Sequence, residues 1–240
     1  MFHSESMEER MHSLLLVTAI LAGSGTAEPT ATYDSMTVAA SELSPRLTPG
    51  TLMFSEGDCL AVRIYTHSNI THVGTVVHEG DEVFVYDSTA GVGVRKLPIA
   101  DYLGSQAPNV LHVHQPLQPL SQQQAQQLAE YLASQIGRPY AIQHHLTGER
   151  CEGLHCAEYA TDALMAIDVM KANRPAKVSP ASLQEGITRY KVYSPGEVVQ
   201  LVRPSPPSAV GDNACHQLWI DTCECCSSCC DKLRGWFLCQ

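Results

Sequence analysis

The residue with the clearest chemical potential is Cys156, which follows His155 at the start of a stretch with helical periodicity. The first N–H groups of a helix are unpaired and the helix dipole is positive there, so a thiol at this place ionises easily. Together with a neighbouring imidazolium, a helix start can bring a cysteine pKa from about 8.5 into the range of roughly 3.5 to 7.5. The same N–H groups are suited to hold an oxyanion. Cys156 is therefore a candidate nucleophile.

A thiol nucleophile needs a base, and His72 is the best candidate. It precedes the apolar segment 73–77, whose composition predicts a strand. Asp87 ends the next predicted strand, and Gly80-Asp81 between the two indicates a hairpin. Adjacent antiparallel strands bring side chains together, so Asp87 is placed to orient the imidazole. Nucleophile, base and orienting acid would then form a triad.

Other interpretations of these residues stay open. A cysteine on an apolar helix is often an inert core residue, a strand-end histidine can bond to backbone, and Asp is common in turns. A disulfide between Cys151 and Cys156 would silence the nucleophile in an oxidising compartment. Imidazole and thiolate groups also bind zinc, but the local spacing matches no standard zinc pattern, so we predict no metal site. The residues considered for zinc are His144, His145, Cys151, His155 and Cys156.

Sequence patterns also indicate the elements that must position these residues. Residues 51–54, 73–77 and 83–86 are predicted strands, and segment 58–66 is ambiguous between helix and strand. A return strand is expected near Val192 and residues 198–202.

Two helices are predicted in the second half of the chain. Apolar residues from Ala125 to Ile136 share one helical face, Ser121 and Gln124 form a capping box, and Gly137 ends the helix. The second helix is expected from Cys156 to about residue 172. Strands followed by helices indicate an α+β domain.

Composition divides the chain into five parts. A short apolar run followed by small residues makes 1–27 a predicted signal peptide, although the acidic residues before the run fit this only if translation starts at Met11. We therefore expect a secreted or cell-envelope (periplasmic) protein. The other parts are a flexible leader at 28–46, a folded domain at 47–202, a proline-rich linker at 203–208 and a cysteine-rich tail at 209–240.

Charge and cysteine content bear on partners. The formal net charge is -10, from 15 basic and 25 acidic residues, which predicts no nucleic-acid partner. Of the ten cysteines, most lie in the tail. The tail thiols could bind a soft metal, form disulfides or carry acyl chains, so a membrane or protein contact through the tail stays open.

Four segments resemble a known family. They are Pro49–Phe54, Thr71–Val77, Gly137–Tyr140 and His155–Tyr159. Together they are similar to the circularly permuted branch of the NlpC-type, papain-like amidases, and in particular to the YiiX/YaeF-type proteins, in which the His-bearing strand precedes the Cys-bearing helix. The resemblance covers roughly residues 47–200, and its most specific parts are the His-Val-Gly strand and the Cys-x-Glu helix start.

The resemblance implies a papain-like α+β core in which an antiparallel sheet packs against the helix bearing the nucleophile. By position it makes Cys156 the nucleophile, His72 the general base and Asp87 the third polar residue, and it places Tyr140 at the cleft. It also implies that segment 58–66 is a helix. The sequence departs from the family in having Asp where Glu is more frequent and Ala where Ser usually follows the cysteine.

The expected function is that of a cysteine hydrolase that cleaves an amide bond in a peptide or cell-wall stem peptide through an acyl-enzyme, without a cofactor. One alternative is a lipid ester hydrolase or acyltransferase similar to lecithin retinol acyltransferase, which shares the His-before-Cys order. Another is a catalytically inactive module that binds a partner through the tail. Removing residues 209–240 would abolish the function of the module and spare that of the hydrolase.

Overall fold

The computed structural model describes residues 28–57, 60–203 and 209–238. The predicted signal peptide and residues 204–208 of the predicted linker lie outside the described residues. The strands are β1 (Ala31–Tyr33), β2 (Leu52–Glu56), β3 (Ile70–Glu79), β4 (Glu82–Thr89), β5 (Gly93–Pro98), β6 (Val110–His114) and β7 (Glu197–Leu201). The helices are α1 (Met36–Leu43), α2 (Leu60–Thr66), α3 (Ile99–Gln106), α4 (Gln122–Ser134), α5 (Gln143–Thr147), α6 (Cys156–Ala166), α7 (Pro180–Arg189) and α8 (Ala214–Leu238), with short 3-10 turns at Ser44–Arg46 and Pro175–Lys177.

The described strands form a seven-stranded sheet in the order β1-β7-β6-β2-β3-β4-β5. Every neighbouring pair is antiparallel except β1 and β7, which run parallel. The fold is therefore of the expected α+β class, but the sheet is mixed where a purely antiparallel one was expected. The difference arises at the edge, where β1 adds to β7 by hydrogen bonds from a segment expected to be loose.

Residues 28–46 differ from the flexible leader that their composition predicts, because they form β1 and α1. The Ser35 side chain accepts a hydrogen bond from a backbone N–H in the first turn of α1 and so caps the helix. Ala39, Ala40 and Leu43 are buried against the sheet and α3. Small alanines carry a weak hydrophobic signal in the sequence, yet they allow close packing of the helix.

The central hairpin agrees with the predicted strands, and its turn contains Gly80 at φ +62°. Segment 60–66 is helical, and α4 has the predicted capping box between Ser121 and Gln124. The second predicted helix, α6, ends earlier than expected, at Ala166, and Asp168 just after it adopts a left-handed φ of 55°.

Helices cover both faces of the sheet and create two hydrophobic cores. On one face α4, α6 and α7 pack over residues that include Phe54, Val73 and Tyr86. On the other face α1 and α3 pack over residues that include Met53 and Val76. Because both faces are buried, the central strands read as continuous apolar runs rather than as an alternation.

The cysteine-rich tail forms α8, a 25-residue helix that contacts α2. Its large side chains Leu218 and Trp219 are 69% and 68% exposed. Within the described residues, no helix has both the length and the apolar character needed to cross a membrane. The tail cysteines that the structure describes are all exposed free thiols: Cys215, Cys223, Cys225, Cys226, Cys229 and Cys230.

Candidate active site

Cys156 is the first residue of α6, as its sequence context predicts. His155 is the N-cap: its Nδ1 accepts the backbone N–H of Glu158 at 3.2 Å, and its Nε2–H donates to the carbonyl of Ala176 at 3.0 Å. Since the lone pair of Nδ1 is used by the cap, the His155 proton resides on Nε2. The cap leaves the first N–H groups of α6 directed toward the thiol end of the helix.

Two backbone contacts hold the segment that leads into Cys156. The Ser88 hydroxyl, at the end of β4, donates to the carbonyl of Leu154 at 2.7 Å, and the N–H of Leu154 donates to the carbonyl of Pro139 at 2.9 Å. Gly153 is needed here, because a Cβ would lie 2.5 Å from the Cβ of Ala141. These contacts connect the start of α6 to the sheet.

His72 lies near the start of β3, and its Nε2–H donates to Oδ2 of Asp87 at 2.9 Å. The His72 ring and the Cys156 thiol lie close enough for each to shift the pKa of the other. Because Nε2 is used by Asp87, Nδ1 is the ring nitrogen that remains for the thiol. The structure thus brings together the three residues selected from the sequence as nucleophile, base and orienting acid.

The Asp87 carboxylate is fully buried and has a second partner, Arg95 on β5. The guanidinium binds it through both nitrogens of its fork, with Nε to Oδ1 at 2.8 Å and Nη2 to Oδ2 at 3.1 Å. Burial by itself would raise the Asp87 pKa, but hydrogen bonds and charges from His72 and Arg95 outweigh it and lower the pKa. Asp87 is therefore an anion in the folded protein at neutral pH.

Gly74, two residues after His72, explains the His-x-Gly spacing. A Cβ at Gly74 would lie 2.6 Å from Cγ1 of Val85 and 2.8 Å from the Tyr102 hydroxyl. The missing side chain allows Tyr102 of α3 to pack against β3, with its ring centroid 6.5 Å from that of His72. The glycine is thus required by packing next to the imidazole.

Cys156 and His72 change each other's protonation. Burial opposes ionisation of the thiol, but the charge of His72, a contact with His155 and the hydrogen bond with His72 together lower the Cys156 pKa to about 6. Burial also opposes protonation of His72, yet the charge of Cys156 and the hydrogen bond with Asp87 raise its pKa to about 10. Both shifts favour a thiolate on Cys156 paired with an imidazolium on His72.

Tyr140 is half-buried and lies within electrostatic reach of Cys156. Burial, and then the charge of the thiolate, raise its pKa far above the usual value of a tyrosine. The phenol therefore keeps its proton at neutral pH. That Tyr140 lines a substrate cleft stays a prediction.

The structure also shows where the residues considered for a disulfide or a metal site lie. Cys156 is buried and not in a disulfide, while Cys151 is exposed. The rings of His145 and His155 meet edge to face with centroids 5.5 Å apart. Among the described residues, no three His, Cys, Asp or Glu side chains are grouped so that they could hold a metal ion. The side chain of His144 lies outside what the structure describes.

Sequence reasoning missed Arg95, although a signal for it exists. The turn at Gly91 and Gly93 follows β4 closely, which predicts a further antiparallel strand. In that strand Arg95 is directly opposite Asp87. Opposite charges at facing positions of a hairpin are a recognisable pairing signal once the strand itself is assigned.

No family model matches the sequence, and no curated protein matches it. Among solved structures, the chain is similar to one described as the crystal structure of metalloprotein YiiX from Escherichia coli O157:H7, DUF1105. The two chains are 18% identical, the similarity covers 64% of this chain and 88% of that one, and the TM-score is 0.46. A likeness at this level gives no information about activity.

Proposed function

We propose that the chain is a cysteine hydrolase that cleaves an amide bond through an acyl-enzyme on Cys156. The observation that supports this most directly is the contact of the Cys156 thiol, at a helix N-terminus, with an imidazole that is itself bound to a buried carboxylate. A nucleophile, a base and an orienting acid in mutual contact are the parts that nucleophilic catalysis requires. A peptide or a cell-wall stem peptide is the proposed substrate.

The reaction begins with attack of the Cys156 thiolate on the carbonyl carbon. The oxyanion that forms is within reach of the free N–H groups at the start of α6. The imidazolium of His72 then gives its proton to the leaving amine, and the carbon–nitrogen bond breaks to leave a thioester. Neutral His72 next takes a proton from water, which attacks the thioester and releases the acid. The proton taken from water stays on His72, and Cys156 leaves as the thiolate, so the starting pair is restored.

The hydrogen bond from His72 to Asp87 determines which nitrogen of His72 acts. Since Asp87 accepts from Nε2–H, the reacting proton is carried on Nδ1, the nitrogen nearest the thiol. Cys156 is only 4% exposed and the His72 side chain 15% exposed, so the reacting groups are largely shielded from water. Shielding strengthens the charge interactions within the site.

The first test is alkylation of the full chain by limiting iodoacetamide at about pH 6, where an ordinary thiol is almost wholly protonated. Cys151 and Cys156 fall on one tryptic peptide, so tandem mass spectrometry is needed to assign the label. Preferential labelling of buried Cys156 over exposed Cys151 and the α8 thiols is expected. Preferential labelling of the exposed thiols would contradict the proposal.

Substrate class is tested with peptide amides and lipid esters under the same conditions. Acyl-enzyme formation on Cys156 from peptides supports the amidase, and formation from phospholipid esters instead would favour the lipid hydrolase or acyltransferase. A Cys156→Ala variant serves as the control, since it lacks the attacking sulfur. Loss of partner binding on removal of α8, together with an inert Cys156, would indicate the interaction module.

A further inference from the structure

Arg95 belongs to the candidate site through its hydrogen bonds to Asp87, which were not predicted from the sequence. It lies opposite Asp87 in the register of β4 and β5, and its fork binds both carboxylate oxygens. One of these oxygens, Oδ2, is also the acceptor for His72. Hydrogen bonds therefore run from Arg95 through Asp87 to His72, and the His72 imidazole in turn lowers the pKa of Cys156.

The Arg95 fork is itself held by α3. Nη2 of Arg95 is 3.4 Å from the Ser105 hydroxyl, which donates to the carbonyl of Tyr102 at 2.7 Å. Gln106 donates to the same hydroxyl at 3.1 Å and accepts from Ser55 at 2.7 Å. Ser55 is the cross-strand partner of His72. The network thus ends at the residue that faces His72 in the register of β2 and β3.

The charges explain why an arginine is useful at this position. During the proposed reaction His72 alternates between a cation and a neutral ring, so its support for the Asp87 carboxylate varies. Arginine stays charged at every accessible pH and forms two parallel bonds with a carboxylate. It can therefore keep the buried Asp87 ionised when His72 is neutral, which burial would otherwise oppose.

We infer that Arg95 is a positioning residue of the proposed cysteine hydrolase: through Asp87 it holds His72 with Nδ1 toward Cys156 and sustains the thiolate. This inference rests on the proposed function. Arg95 acts through Asp87 and does not touch the thiol. We expect its loss to change the reactivity of Cys156 in a folded protein, which the loss of a purely structural ion pair between strands would not do.

A neighbouring residue provides a matched control. Lys96, also on β5, forms an ion pair with Glu79 and lies 3.8 Å over the ring centroid of Phe84. Replacing Lys96 by Met removes a cation and an ion pair from the same strand without touching Asp87. Any general effect of weakening β5 should therefore be the same in Lys96→Met and Arg95→Met, whereas an effect through Asp87 should occur in Arg95→Met alone.

The experiment measures the rate of Cys156 alkylation against pH in the full chain, site by site by tandem mass spectrometry, with thermal unfolding of each variant. A rise of one unit in the thiol pKa lowers the thiolate fraction about tenfold at low pH. We expect Arg95→Met to raise the Cys156 pKa read from this profile by about one unit and Arg95→Lys to raise it by less, since lysine keeps the charge but loses the fork. Lys96→Met should leave that pKa within about 0.3 unit of the wild-type value.

A double variant shows whether Arg95 acts through Asp87. Because both residues belong to one chain of contacts, Arg95→Met should have no further effect on the rate in an Asp87→Asn background. An equal further loss in that background would overturn the inference, as would a wild-type pH profile in folded Arg95→Met. If Arg95→Met does not fold, a wild-type profile in Arg95→Lys overturns it.

The result for the wild type separates the two proposals. An ordinary thiol profile for wild-type Cys156 would refute the hydrolase and the role of Arg95 together. An activated profile that is insensitive to Arg95 would leave the hydrolase standing and refute the role of Arg95 alone.

Discussion

Replacing His72 by Ala gives the sharpest prediction, because the imidazole is the largest influence that lowers the Cys156 pKa. If the pKa rises from about 6 to the ordinary value of about 8.5, the thiolate fraction at pH 6 decreases from roughly one half to roughly 0.3%, about 150-fold. A thiol of higher pKa gives a more nucleophilic thiolate, with a Brønsted slope of about 0.4–0.5, and this raises the alkylation rate about 13-fold. The expected net loss of rate at pH 6 is therefore about tenfold.

The same arithmetic predicts that the two pH profiles cross. At about pH 9 both thiols are mostly ionised, and the mutant thiolate is then intrinsically more nucleophilic, so His72→Ala should react faster than the wild type by up to about tenfold. The assay is site-resolved alkylation of Cys156 from pH 5 to pH 9.5. His78, on the same strand, provides the control variant His78→Ala. Parallel profiles for the wild type and His72→Ala, without a crossing, would refute the pairing of Cys156 with His72.

Three further predictions concern the support of the site. Gly74→Ala should lower the free energy of unfolding by about 1–3 kcal/mol, because the new methyl group overpacks against Val85 and Tyr102. The control Gly186→Ala has no atom within 4 Å of its new Cβ and should be neutral or stabilising in chemical denaturation. Equal effects of the two substitutions would contradict the packing argument. His155→Ala should lose the N-cap of α6, at a cost of about 0.5–2 kcal/mol, while His155→Asn retains a capping oxygen; the same stability for both variants would show that the cap is unimportant. Because the folded-state pKa of Asp87 is lowered, its contribution to stability is present above the unfolded value of about 3.9 and is lost as the pH falls through the lower folded value. The stability deficit of Asp87→Asn measured by thermal unfolding should accordingly shrink as the pH falls below about 4, and a constant deficit would contradict the lowered pKa.

Local patterns were enough to predict the elements nearest the site. The Gly80-Asp81 turn specifies the β3–β4 hairpin because it occurs between two apolar runs, and the Ser121–Gln124 box specifies the start of α4 through bonds within one turn. The start of α6 at Cys156 was predicted in the same way. These features depend on contacts between residues close in sequence, which a pattern can record.

Features that depend on distant residues were missed. The edge strand β1 is stabilised by pairing with β7, some 168 residues away, and α1 is stabilised by burying small alanines on the sheet. Neither leaves a strong local signal in a segment rich in Ser, Thr and Ala. The early end of α6 at Ala166 likewise reflects a left-handed residue at Asp168 that composition does not reveal.

The amino-acid sequence by itself indicated the candidate nucleophile, base and acid, because each lies at or near the end of an element that local patterns predict. Tertiary structure alone decided whether these ends meet, and it added Arg95, whose partner is set by strand register. It also decided the charge state of the pair, since a thiol pKa depends on burial and on the distance to an imidazole. Those quantities come from the packing of β3, β4 and α6 against one another, and a sequence pattern contains no distances.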